Sequence, residues 1–198
     1  MLLRIMNRGG IMNNKGFTLV ELLGVMLILG IVMGVTIPNI SGISTQNKIT
    51  TYAEDAKKFK STAEYMIRGD DTVKKPVANG ECVVVNLKYV HGNEYDNPPY
   101  GGEYLMNKSF VVMVKKNRRY QYYVQLVEKF NTDGTDNYRG FKLLNYTELE
   151  ATNYLDKLTE GLSMADFVDV NLAGSKSNIQ TSISSTGCTT VVEVYNAT

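Results

Sequence analysis

The sequence contains no tryptophan, one histidine and two cysteines in 198 residues, and each shortage removes a class of chemistry. The lone imidazole, His91, lies in a Gly/Asn loop. With no second histidine and no thiolate cluster, a transition-metal site has too few ligands. A Ser-His-acid arrangement would have to use His91, and nothing in the local sequence supports one. Cys82 and Cys188 are too far apart for a CxxC redox pair or a cysteine zinc site. No glycine-rich phosphate loop is present. A strong charge of one sign is missing too, the whole chain carrying +1. Residues 1–16 hold Arg4, Arg8 and Lys15 and no acid, which leaves 18 Lys+Arg against 20 Asp+Glu in the remainder. The body is therefore neither a strongly basic nucleic-acid binder nor an acidic tail. No assembled catalytic set remains, so the expectation is a protein that is not an enzyme and needs no cofactor.

What is present is an apolar run with odd punctuation, KGFTLVELLGVMLILGIVMGVTIP, Lys15 to Pro38. An ordinary core helix shows a polar stripe, and this one does not. A run of roughly 18 or more apolar residues is long enough to cross a bilayer. It is too long for the apolar region of a secretory signal, and no small-x-small site follows it. The candidate processing point instead precedes the run, between Gly16 and Phe17. The leader is short and basic, with Met6 and Met12 as alternative starts to Met1. Positive charge ahead of the span places the N-terminus in the cytoplasm and the body outside; an uncleaved single-pass anchor would be oriented identically. Glu21 is the costly feature, because a carboxylate in a span needs a partner. After a cut at Gly16–Phe17 the new α-amino group of Phe17 would lie four residues upstream. Gly30 and Gly34 form a GxxxG pair that permits close helix approach. Pro38 removes a backbone hydrogen bond and weakens the helix upstream of it.

In this order, a basic residue, Gly16, Phe17, Thr18, Leu19, Glu21 and a long apolar run resemble the class III signal of type IV pilins and the related pseudopilins. The resemblance covers Lys15–Pro38, and the rest of the chain fits the family architecture only loosely. It implies cleavage between Gly16 and Phe17 by a prepilin peptidase, N-methylation of Phe17, and engagement of Glu21 with the N-terminal amine of a neighbouring subunit. It also implies that Gly30, Gly34 and Pro38 mark where such helices loosen and pack inside a filament. The partners implied are other pilin subunits, the peptidase/methylase, the pilus assembly machinery and, before assembly, the membrane. The expected function is that of a structural subunit of a surface filament for adhesion or motility; the alternative is a pseudopilin of a type II secretion or DNA-uptake machine, which shares the same N-terminal chemistry.

Beyond Pro38 the apolar residues Ile49, Tyr52, Ala53, Ala56, Phe59, Ala63, Met66 and Ile67 recur at helical steps. Arg68-Gly69 supplies a stop. The reading is one helix from Phe17 to Arg68, kinked near Pro38, with an apolar half (17–38) and an amphipathic half (39–68) packed under the head. The head, 69–198, has about 130 residues, enough for one small domain. The expected fold is α+β: a long N-terminal helix on a C-terminal antiparallel sheet, in the manner of a pilin. Cys82–Val90, Ser109–Lys116, Tyr120–Val127, Phe167–Leu172, Ile179–Ser184 and Cys188–Tyr195 read as strands. Glu128–Gly140 reads as a polar loop. Thr147-Glu148-Leu149-Glu150 reads as a capping box opening a helix through Leu162. If the body is exported, a Cys82–Cys188 disulfide is the natural state, worth up to ~4.7 kcal/mol for a loop of about 100 residues; the alternative is two buried thiols.

Two weaker candidates remain. The oxygens of Asp133 and Asp136 in Asn131–Asn137 could hold calcium, although the spacing is not that of an EF-hand and the stretch is also a good turn. Lys115, Lys116, Arg118 and Arg119, followed by Tyr120, Tyr122 and Tyr123, could contact phosphates and stack bases of DNA, or form a solvated hairpin tip. A host surface is a further conceivable partner with no residue pattern behind it.

Overall fold

The computed structural model describes residues 18–90, 97–151, 154–161 and 163–196, with the side chains of Gly30 and of 32–44 outside that description. The chain divides into two compact units, Met1–Ser44 and Thr45–Thr198. The first helix, α1 (Leu19–Gly69), is 51 residues long and continuous through Pro38.

The larger unit is α+β. Its strands are β1 (Glu81–Asn86), β2 (Glu103–Tyr104), β3 (Phe110–Lys116), β4 (Arg119–Thr132), β5 (Thr135–Asn145), β6 (Leu158–Gly161) and β7 (Thr190–Tyr195). They form one sheet in the order β6-β5-β4-β3-β1-β7, with the short β2 also paired to β4. The sheet is mixed, which corrects the antiparallel expectation: β7 lies parallel to β1, while the other pairs are antiparallel. A parallel pair needs a long crossover, and here everything between the first and last strands serves as that crossover.

Pleat alternation distributes the core to both faces of this sheet. Val83 and Val85 of β1 and Val111 and Met113 of β3 join Tyr52, Ala53, Ala56, Phe59, Ala63 and Ile67 of α1 in one cluster. That α1 stripe is completely shielded from solvent. Cys82 and Val84 of β1, with Phe110, Val112 and Val114 of β3, face the other way. There they meet Val170, Leu172, Ile179 and Ile183 from the C-terminal segment. Coverage on both faces is why β1 and β3 read as unbroken β-branched runs rather than as alternating ones.

Several expectations are corrected here. Residues 128–140 are not a loop: β4 and β5 continue through them and turn at Asp133-Gly134, with φ of 52° and 80°. Positive φ at both central positions is the type I′ hairpin turn that Asp-Gly favours. The helix expected from Thr147 is the five-residue α3 (Tyr146–Glu150), capped by Asn145 rather than Thr147, and Leu158 belongs to β6. Cys82–Val90 is strand only to Asn86, after which Leu87–Val90 forms the short helix α2. Phe167–Leu172 makes no strand. It is held instead by the buried Gln125 side chain, which donates to the Val168 carbonyl at 2.8 Å and accepts from its N–H at 3.1 Å. The strand expected at 179–184 is not formed: its first residues lie in α4 (Lys176–Ser182), opened by the Ser175 cap.

Candidate functional site

The described part of the N-terminal motif begins at Thr18 and opens α1. Thr18 and Glu21 form a reciprocal cap. The Thr18 N–H donates to the Glu21 carboxylate at 2.8 Å, the Thr18 hydroxyl donates to the same oxygen at 3.0 Å, and the Glu21 N–H donates back to that hydroxyl at 3.3 Å. This satisfies donors that a helix start otherwise leaves open. It also fixes the carboxylate beside the first turn, the electropositive end of the helix. The T-x-x-E spacing was legible in the sequence as a capping box and was missed there.

The turns that follow are apolar and exposed among the described residues. Leu22, Leu23, Val25, Met26, Leu27, Ile28, Leu29 and Ile31 are all exposed, Leu23 by 64% and Met26 by 66%. A continuous exposed apolar surface is the kind that forms contacts with membranes or other proteins. Among the described residues no helix is long and apolar enough to cross a membrane. Gly16, Phe17 and His91 lie outside the described residues. Gly30, Gly34 and Pro38 fall on the helical backbone of α1.

The sheet places the other candidates. Cys82 and Cys188 are joined in a disulfide, with their Cα atoms 5.6 Å apart across a sequence separation of 106. Cys188 sits just ahead of β7, so the bond clamps the closing strand against β1. Asp133 lies in the β4–β5 turn and Asp136 follows it in β5. Asp136 is paired with Lys129 at 2.9 Å, and the described residues contain no group of three His, Cys, Asp or Glu that could hold a metal. Lys115, Lys116, Arg118 and Arg119 surround the β3–β4 turn, where Asn117 and Arg118 both have positive φ. The tyrosine rings here are already occupied: the Lys115 ammonium lies 4.3 Å from the Tyr120 ring centre and the Lys116 ammonium 5.6 Å from that of Tyr123.

A polar cluster invisible to the sequence reading joins α1 to the sheet. The Tyr52 hydroxyl, 3.0 Å from the Leu126 carbonyl and 3.2 Å from that of Arg139, shares its proton between them. Burial, then the nearby Glu128 carboxylate, holds its ionisation well above the ordinary tyrosine range. Glu128 is itself shielded from solvent. Its Oε1 accepts from the Gly102 N–H at 2.9 Å, while its Oε2 has no hydrogen-bond partner. The Arg139 guanidinium, 3.9 Å from that oxygen, is sandwiched between Tyr100 and Phe130, 3.9 and 4.4 Å from the ring centres. Burial pushes the Glu128 carboxyl upward, against the opposing effects of Gly102 and Arg139. Reading 128–140 as a loop concealed these residues, because a loop assigns no inward face.

No curated protein and no solved structure matches the chain. Residues 11–37 match the family described as the prokaryotic N-terminal methylation motif, and the N-terminal segment thus carries the class III signal of type IV prepilins and pseudopilins.

Proposed function

We propose that this chain is the precursor of a structural subunit of a type IV pilus, cut between Gly16 and Phe17, N-methylated at Phe17, and polymerised from the membrane into a surface filament. In this reading 1–16 is the discarded leader, 17–38 the membrane and filament-core helix, 39–68 the helix under the head, and 69–198 the head. The exposed apolar surface of Leu22–Ile31 carries the proposal, since it lies within the matched methylation motif and has no cover among the described residues. Lipid covers it before assembly, with the N-terminus inside the cell, and sister helices cover it afterwards. Transfer from one apolar environment to another costs little hydrophobic energy, so close packing at Gly30 and Gly34 and the pairing of Glu21 decide the outcome. Glu21 meets the methylated amine of a neighbouring subunit and sets the register. Its cap on Thr18 holds the carboxylate at the end of the helix where that amine arrives. The disulfide suits a head that works outside the reducing cytoplasm.

Mass spectrometry of the mature N-terminus from cell-surface material tests the reading. The expected first residue is N-methylated Phe17; an intact leader on surface-exposed chain overturns it.

A further inference from the structure

We infer that the head is electrostatically polar along β4, and that the basic β3–β4 tip of one copy docks on the acidic β4–β5 end of the next copy of the same chain. The inference rests on the filament reading above and names a contact within it.

Lys115, Lys116, Arg118 and Arg119 crowd one turn, and none of them is in an ion pair with a carboxylate among the described residues. Arg118 and Arg119 are exposed. Arg68 of α1 also lies near this tip, its guanidinium 5.8 Å from the Tyr120 ring centre, but it is already paired with Glu64 at 2.9 Å and adds no free charge. The turn itself is strained. Asn117 and Arg118 have φ of 47° and 67°, a pair of positions that favours Asn-Gly. A guanidinium stands where glycine would relieve the backbone, and strain retained at a surface tip points to use of the side chain.

The other end of β4 carries the opposite sign. Glu103 and Asp133 are exposed, and neither is in an ion pair among the described residues. Asp136 and Glu160 answer Lys129 and Arg139, and the buried Glu128 adds a further carboxylate. The 14 residues of β4 separate the two ends by roughly 43 Å at about 3.3 Å per residue.

An object positive at one end and negative at the other cannot pair with itself about a two-fold axis through either end, because like charges would meet. An antiparallel pair about a two-fold axis through the middle of β4 would also match the charges but would close as a dimer, whereas a head-to-tail contact is heterologous and propagates, as the filament reading requires. Copies that lie parallel and are displaced along β4 bring unlike ends together. Nucleic acid is the weaker partner for the tip, because Tyr120 and Tyr123 already carry this chain's own cations on their rings.

The test uses the full chain in cells. Arg119→Cys with Glu103→Cys should yield an oxidation-dependent ladder of multimers, and neither single variant should. Separately, Arg118→Glu/Arg119→Glu should lower the yield of sheared filaments at least tenfold, and Glu103→Lys/Asp133→Lys added to it should restore the yield to within about twofold. Normal filaments with no ladder, dimers from a single cysteine, or failure of the charge swap to restore assembly overturns the contact. So does a tip reversal that abolishes retention on duplex DNA while filaments remain normal. Absence of filaments from the unsubstituted chain overturns the filament reading, and this inference with it.

Discussion

Residues 19–31 and residues 52–67 belong to the same helix, and both are rich in apolar side chains, yet they meet opposite fates. Leu23 is 64% exposed while Phe59 is 0% exposed. The difference lies in pattern rather than in hydrophobicity. From Tyr52 to Ile67 the apolar residues, the exposed Tyr65 aside, fall on one stripe with polar residues around it, so the chain's own sheet can cover that stripe. From Leu19 to Ile31 apolar residues surround the axis, and one sheet could cover at most one side. The two stretches therefore require different solvents. One is completed by folding; the other, on the proposed reading, is completed by lipid or by other copies of the chain. If the chain polymerises as proposed, stability of the head and assembly of the filament are separable properties of one helix.

The sharpest way to break that separation is a pair of substitutions. Phe59→Ala removes a fully buried ring from the cluster between α1 and the sheet, and should cost the head about 3–5 kcal/mol, read as a fall in the midpoint of denaturant unfolding. Glu21→Ala removes the carboxylate at the start of the bare stretch. It should leave the head's unfolding midpoint unchanged while filament yield collapses. If Glu21→Ala destabilises the head, or filaments form normally without that carboxylate, the two regions are not independent in the way described.

The disulfide comes next in size. Replacing Cys82 and Cys188 together by alanine should cost about 2–5 kcal/mol, again confined to the head. The bond clamps β7 to β1, so the closing strand should show the earliest loss of amide-exchange protection. Equal loss across β4 and β5 would mean that the clamp acts through the unfolded chain rather than on the strand it holds.

How much of this could be read from the sequence divides along the same line. The methylation motif is local, a fixed order of residues, and it stood in plain view. So did the stripe from Tyr52 to Ile67, because helical periodicity is also local. The sheet was harder. Val83, Val85, Val111 and Met113 announce strands, but nothing local says that β7 returns parallel to β1 or that α4 covers the second face. Asp133-Gly134 was a hairpin signal hidden inside a polar stretch, and reading it as loop hid Glu128 and Arg139 together. Ile179–Ser184 looked extended because isoleucine and threonine favour strands, while the Ser175 cap and packing of Ile179 and Ile183 on the second cluster made its first residues helical.

The smallest effect concerns Glu128, where the head departs from its own rule of satisfied burial. Its carboxyl titrates above the ordinary glutamate range because burial disfavours the charge. The folded head consequently binds this proton more tightly than the unfolded chain does. In this group's contribution, stability rises as pH falls from the raised folded value toward about 4.3, the unfolded one. Above the folded value the charged carboxylate is a standing cost, with Oε2 facing Arg139 at 3.9 Å and accepting no hydrogen bond. Glu128→Gln removes that charge, keeps the shape, and retains an oxygen for the Gly102 N–H. At pH 7 it should leave the melting temperature unchanged or raise it by a few degrees, and it should flatten the gain in stability on acidification. A large loss at pH 7 would show instead that the pairing with Arg139 outweighs desolvation, and that α1 is held to the sheet partly by charge.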